Sequence, residues 1–142
     1  MSAAAGAWQA AAVAGGAAVG ALARWAAGLW LNPLWGGFPL GTLAVNCLGG
    51  GLIGVTLLVF ARQPDDLLRA LLVTGVLGGF TTFSAFSAES LGLLQRGAWA
   101  LALLHSAAHL LGHWPARRWA MRWPGLCGAD HLALTCLDTR WP

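Results

Sequence analysis

Gly75-Val76-Leu77-Gly78-Gly79-Phe80-Thr81-Thr82-Phe83-Ser84-Ala85-Phe86-Ser87-Ala88-Glu89 is a poor helix inside a run that is otherwise long and apolar enough to cross a bilayer. Two glycines followed by two β-branched threonines predict a break in the run from Leu67 to Leu94. Broken backbone at membrane depth is tolerated only where protein buries it or where it lines a cavity. There it frees carbonyl oxygens that suit a hard cation and exposes N–H groups that favour an anion. Phe83 and Phe86 stand three apart and share a face. Their positive ring edges either pack as core or meet an anion.

The surroundings fit a bilayer. Of 142 residues, 58% are hydrophobic and only 9% charged, against roughly 25% charged in an ordinary soluble domain. Eight basic and five acidic side chains are too few to keep a small domain wet, while 20 Gly and 9 Trp suit spans and their interfaces. A span needs roughly 20 apolar residues. Four runs approach this: Ala7–Leu31, Phe38–Phe60, Leu67–Leu94 and Ala98–Gly112. Asn32-Pro33 ends the first, Arg62 to Asp66 form a polar loop, and Arg96-Gly97 make a short turn. The predicted class is an all-α integral membrane protein with a broken third helix and an incomplete fourth.

Glycines at 15, 16, 20, 49, 50, 51 and 54 recur three to five residues apart, the spacing that lets helices approach closely in lipid. Arg24 either snorkels to an interface or faces a water-filled cavity. Asn46 lies near the middle of a span without charge. Its amide either ties two helices together or donates to something passing. His105, His109 and His113 mark one face of the fourth run, but no carboxylate or cysteine shares that face, so it is not read as a metal stripe. Glu89 is a lone acid, Cys47 reads as a small apolar residue, and no nucleophile elbow, carboxylate pair or phosphate loop is present. An enzyme is not expected. The basic residues, all Arg, border apolar runs rather than polar ones, which argues against nucleic acid as a partner.

Three blocks, Gly15-Gly16…Gly20-Ala21…Arg24-Trp25, Gly41-Thr42-Leu43-Ala44-Val45-Asn46 and Gly78-Gly79-Phe80-Thr81-Thr82-Phe83-Ser84-Ala85-Phe86, resemble the CrcB/Fluc fluoride channels. The resemblance runs from about residue 10 to Gly112. It implies a four-helix subunit that pairs as an antiparallel homodimer in the plasma or inner membrane and exports fluoride passively. It also implies a structural sodium ion held by the backbone carbonyls of Gly78 and Thr81. The fluoride pathway would carry Asn46, Phe83, Phe86, Ser84 and Glu89, with Arg24 at a vestibule or in a structural role. The family usually has Thr where this chain has Ala85, and Tyr then Ser where His105 and His109 stand. Arg62 and Arg69 against Arg96 is too small a bias to fix one orientation, so the body is expected to insert both ways. A small multidrug antiporter would need an acid in the first span, and Ala7–Leu31 has none. The remaining alternative is a non-functional or purely structural membrane peptide.

That alternative draws on the tail. Residues 113–142 bring His113, Pro115, Arg117, Arg118, Arg122 and Pro124 where a fourth span should finish, and Pro115 and Pro124 are expected to break a helix. Read from the third base of the Gly112 codon, His113 to Ala120 give an obligatory Leu-Ala, triplets that allow a string of small residues, an apolar residue and an obligatory Gly. The tail is therefore expected to be a frameshift, and the chain as written to be inactive or poorly inserted. Resequencing just after the Gly112 codon checks this. A shifted frame is the expected result, and the written frame recurring in close relatives would contradict it.

Overall fold

The computed structural model describes residues 3–62 and 64–121. Helix α1 (Ala3–Leu31) ends in a 3-10 turn at Asn32–Leu34, and α2 spans Leu40–Arg62. Asn32 Oδ1 accepts from the Gly41 backbone N–H at 2.8 Å, tying the end of α1 to the start of α2. After the polar loop, Asp65 caps α3 (Asp66–Arg69) by accepting from Leu68 N–H at 2.9 Å. The rod continues as a π-helical stretch, Ala70–Leu77, and a helical turn α4, Gly78–Phe80. Thr81 and Thr82 are extended, and α5 runs from Phe83 to Gln95.

Gly97, at φ +72°, closes α5. Its N–H bonds Leu94 O at 3.0 Å, and Ala98 N–H bonds Leu93 O at 2.9 Å, a Schellman ending that turns the chain into α6 (Trp99–Met121). The expected break at Pro115 does not occur, because the backbone stays helical to Met121. Proline removes one hydrogen bond, and its fixed φ is already that of a helix. Gly112 nevertheless remains the end of the apolar part, Trp99–Gly112. The part of the tail reading that concerns residues 122–142 lies outside the described residues.

Among the described residues, three stretches are long and apolar enough to cross a membrane: Ala4–Leu34, Leu40–Leu57 and Asp66–Gln95. Among the described residues there is no strand. Large apolar side chains point outward, with Trp30 79% and Leu103 73% exposed. Water would not tolerate that coat over whole helices, whereas lipid does.

With so few side chains buried, close backbone contact holds the helices. A Cβ on Gly75 would lie 3.0 Å from Gly16 Cα, and one on Gly79 would lie 2.5 Å from Ala17 O. The glycines of α1 thus meet glycines of the third rod. Between α1 and α2, a Cβ on Gly41 would lie 2.7 Å from Gly28 Cα. Gly49 of α2 packs on the Thr81 methyl group. Such approach maximises dispersion where lipid removes the hydrophobic drive. Gly75→Ala should lower stability in micelles by about 1–3 kcal/mol through overpacking. Gly15→Ala, which meets nothing within 4 Å, should stay within about 0.5 kcal/mol. Unfolding titrations of both variants in one detergent check the contrast.

Candidate functional site

A broken helix leaves backbone groups that must be satisfied. Thr81 N–H and its hydroxyl both still reach back to Leu77 O, each at 2.9 Å. Thr82 does not reach back. In an unbroken helix its N–H would bond Gly78 O, but here it donates to Asn46 Oδ1 at 2.8 Å. Asn46 Nδ2 donates in return to Thr82 O at 2.9 Å. One amide on α2 therefore takes over the lost helical bond of the Thr82 N–H and adds a second bond to its carbonyl, which as N-cap also serves the first turn of α5. Thr82 also caps α5, its hydroxyl accepting from Ala85 N–H at 3.2 Å and lying 3.1 Å from the Ser84 hydroxyl.

A pocket of about 300 Å³ opens at this clamp, lined by Asn46, Thr81, Thr82, Phe83, Phe86 and His109. Phe83 is 79% exposed, and its ring centre lies 5.5 Å from that of half-buried Phe86. Asn46 Nδ2 keeps a second hydrogen to donate, the Thr82 hydroxyl and two phenyl rings complete the polar and apolar lining, and no acid is among the lining residues.

Glu89 lies one layer away. Thr42 Oγ1 donates to Glu89 Oε1 at 2.6 Å, and Glu89 Oε2 faces His105 Nε2 at 3.5 Å. His105 is fully buried, with Ser90 Oγ 3.0 Å from its Nδ1, the Phe86 ring stacked at 5.2 Å and Phe38 edge-on at 5.5 Å. His109 Nδ1 donates to the His105 carbonyl at 2.9 Å. Glu89 also lines a second pocket of about 410 Å³, with Phe38, Asn32 and Arg96.

The fold thus gathers Asn46, Phe83, Phe86, Ser84 and Glu89 along α5 and the facing side of α2. Arg24 sits half-buried on α1, and no hydrogen bond or ion pair joins it to them. Gly78 is exposed on α4, beside the diverted Thr82 amide. Spacing alone does not mark Thr42 and His105 as site residues, although Thr42 stands one turn from Asn46 and His105 lies on the histidine face of the fourth run. Its missing carboxylate comes from a different helix, which no spacing within the fourth run shows.

The family described as "CrcB-like protein, Camphor Resistance (CrcB)" matches residues 11–116. The chain belongs to the CrcB family. Its CrcB-family relatives include proteins named "Fluoride-specific ion channel FluC" from Aromatoleum aromaticum and Bordetella petrii. They are 53% and 55% identical over 103 residues, which is 71% of this chain and 79% of each relative. One of the same name from Thiobacillus denitrificans is 52% identical over 99 residues, 68% of this chain and 80% of that one. With its three apolar stretches, this CrcB-family chain is a multi-pass membrane protein. The family match stops at 116, close to where the composition changes.

Thr42→Val should destabilise the protein by about 1–3 kcal/mol, because Glu89 loses its donor inside the bundle. Thr56→Val is the control, since Thr56 bonds only its own helix at Leu52 O and Ile53 O. It should change stability by less than about 0.5 kcal/mol in the same micelle unfolding assay.

Proposed function

We propose that this chain is the subunit of a fluoride-selective channel that lets fluoride leave the cytoplasm passively. The observation that carries the reading is the Asn46–Thr82 clamp beside Phe83 and Phe86, which builds a small pocket of donors and ring edges. The names of the CrcB relatives, fluoride-specific ion channel, support the choice of anion. Hydrogen fluoride crosses membranes neutral and dissociates in a near-neutral cytoplasm. An open path returns the anion, helped by an inside-negative potential of about 2.3 kcal/mol per 100 mV.

In this reading the subunit has four transmembrane helices, residues 1–112 form the membrane domain, and two antiparallel copies in lipid supply two pathways. Asn46, Ser84, Phe83 and Phe86 contact the anion in turn, Glu89 shapes the far end of the track, and Arg24 serves a vestibule or the scaffold. Gly78 and Thr81 hold a structural sodium ion through their carbonyls. Their fit rests on the diverted Thr82 amide, which no longer occupies Gly78 O, and on the exposed position of Gly78. Bound there, sodium would supply fixed positive charge between the copies.

A non-conducting chain is the second reading, favoured by the apolar part of α6 ending at Gly112. Fluoride efflux from proteoliposomes tests both. The chain with its frame restored after Gly112 should pass fluoride and exclude chloride, while the written tail lowers flux. Phe83→Ile and Phe86→Ile keep bulk but remove the ring edge, and each should abolish efflux with dimer assembly intact. Undiminished efflux from both variants would return the rings to packing, and a restored frame that passes no fluoride would overturn the channel reading.

A further inference from the structure

His105 is the residue most completely enclosed by the site, and the track proposed above leaves it without a task. It is buried to 0% exposure. It touches Phe86 and His109, which line the smaller pocket, and Phe38 and Glu89, which line the larger. One imidazole therefore stands as the partition between the two cavities. Its Nδ1 is engaged by Ser90 Oγ at 3.0 Å. Its Nε2 faces Glu89 Oε2 at 3.5 Å, too far for a hydrogen bond, and both atoms are buried with no hydrogen-bond partner among the described residues.

Two buried polar atoms left facing each other across such a gap are costly unless a proton settles between them. With Nε2 deprotonated, its lone pair opposes a carboxylate oxygen. With Nε2 protonated and Nδ1 accepting from Ser90, a neutral ring points its N–H at the carboxylate; with both nitrogens protonated, the same geometry is a stretched ion pair. Glu89 cannot turn away freely, since its other oxygen is held by Thr42. The groups that face His105 are few: Glu89 and Ser90 from α5, His109 from its own helix, and Phe38 from the segment before α2. From α2, the Thr42 hydroxyl joins the group through its bond to Glu89.

We propose that His105 is a positioning residue that links fluoride binding to proton uptake: its imidazole, stacked behind Phe86, gains a proton as the anion enters the pocket on the other side of that ring. This rests on the fluoride reading above. Opposite charges on either side of one ring in a low-dielectric interior favour each other's presence. The coupling is reciprocal, so a proton on His105 tightens fluoride binding by the factor by which fluoride tightens the proton. Nothing covalent changes, and the proton comes from water reaching either pocket.

The test uses the full-length protein in micelles with ¹⁵N-labelled histidine. NaF is titrated at about pH 5.5 and about pH 8, either side of the imidazole range, with NaCl as the control salt. The concentration of NaF that half-saturates the histidine shifts should be several-fold lower at the acid pH, and NaCl should leave them unmoved. His105→Gln should bring the two concentrations together, read from the His109 resonance. His105→Tyr, the residue the family usually carries, gives the same readout should the Gln variant not fold. Equal half-saturation at both pH values in the unmodified protein, no response to NaF, or a pH dependence that survives the loss of His105 would overturn the proposal. Fluoride efflux with pH-independent binding would sink this inference alone. Linked binding without efflux would sink only the transport reading.

Discussion

The reciprocal pair of hydrogen bonds between the Asn46 amide and Thr82 is the constraint on which the rest depends. A helix interrupted inside a bilayer has no water to satisfy its exposed groups, and each orphan costs several kcal/mol. Asn46 supplies an acceptor and a donor at once, so the chain stays extended through Thr82 before α5 starts. The restart sets Phe86 against His109 of α6 with Phe83 beside it, and Glu89 within reach of Thr42 and His105. Without the clamp, the cheapest solution for residues 78–86 would be a continuous helix, and the pocket would have no reason to exist.

Holding α2 in place for this purpose falls to glycines rather than to a core. Gly28 against Gly41 fixes α1 on α2, while Gly16 and Ala17 receive Gly75 and Gly79 of the third rod. The pattern explains how so small a set of buried side chains, Val45, Leu77, Leu93 and Ala102 among them, supports long helices. Backbone contact holds the rod that carries the break, and the apolar side chains are released to face lipid.

Much of this could be read from the residues. Composition and run length gave the helical membrane class, and the Gly-Gly-Phe-Thr-Thr string located the site at which α4 gives way to Thr81 and Thr82. The open question over Asn46 was one of partners. Thr82 lies 36 residues away, and no periodicity within one helix reports contacts between two. The same holds for the Glu89–His105 pair, whose members lie on different helices and show no relation in either helix's own spacing. The π-helical stretch Ala70–Leu77 has no compositional mark, being ordinary apolar sequence. Pro115 misled in the other direction, because a residue that destabilises a helix was equated with one that ends it.

The most direct measurement is backbone amide hydrogen exchange at Thr82, made together with fluoride efflux, in the Asn46→Leu variant and the unsubstituted protein, each with its frame restored after Gly112. Leucine matches the bulk of asparagine and removes both hydrogen bonds. The account requires Thr82 to lose protection and efflux to fall together, while α1 and the first half of the third rod remain protected. Unchanged exchange at Thr82 with unchanged efflux would contradict it, because the break and the pocket would then stand without the clamp.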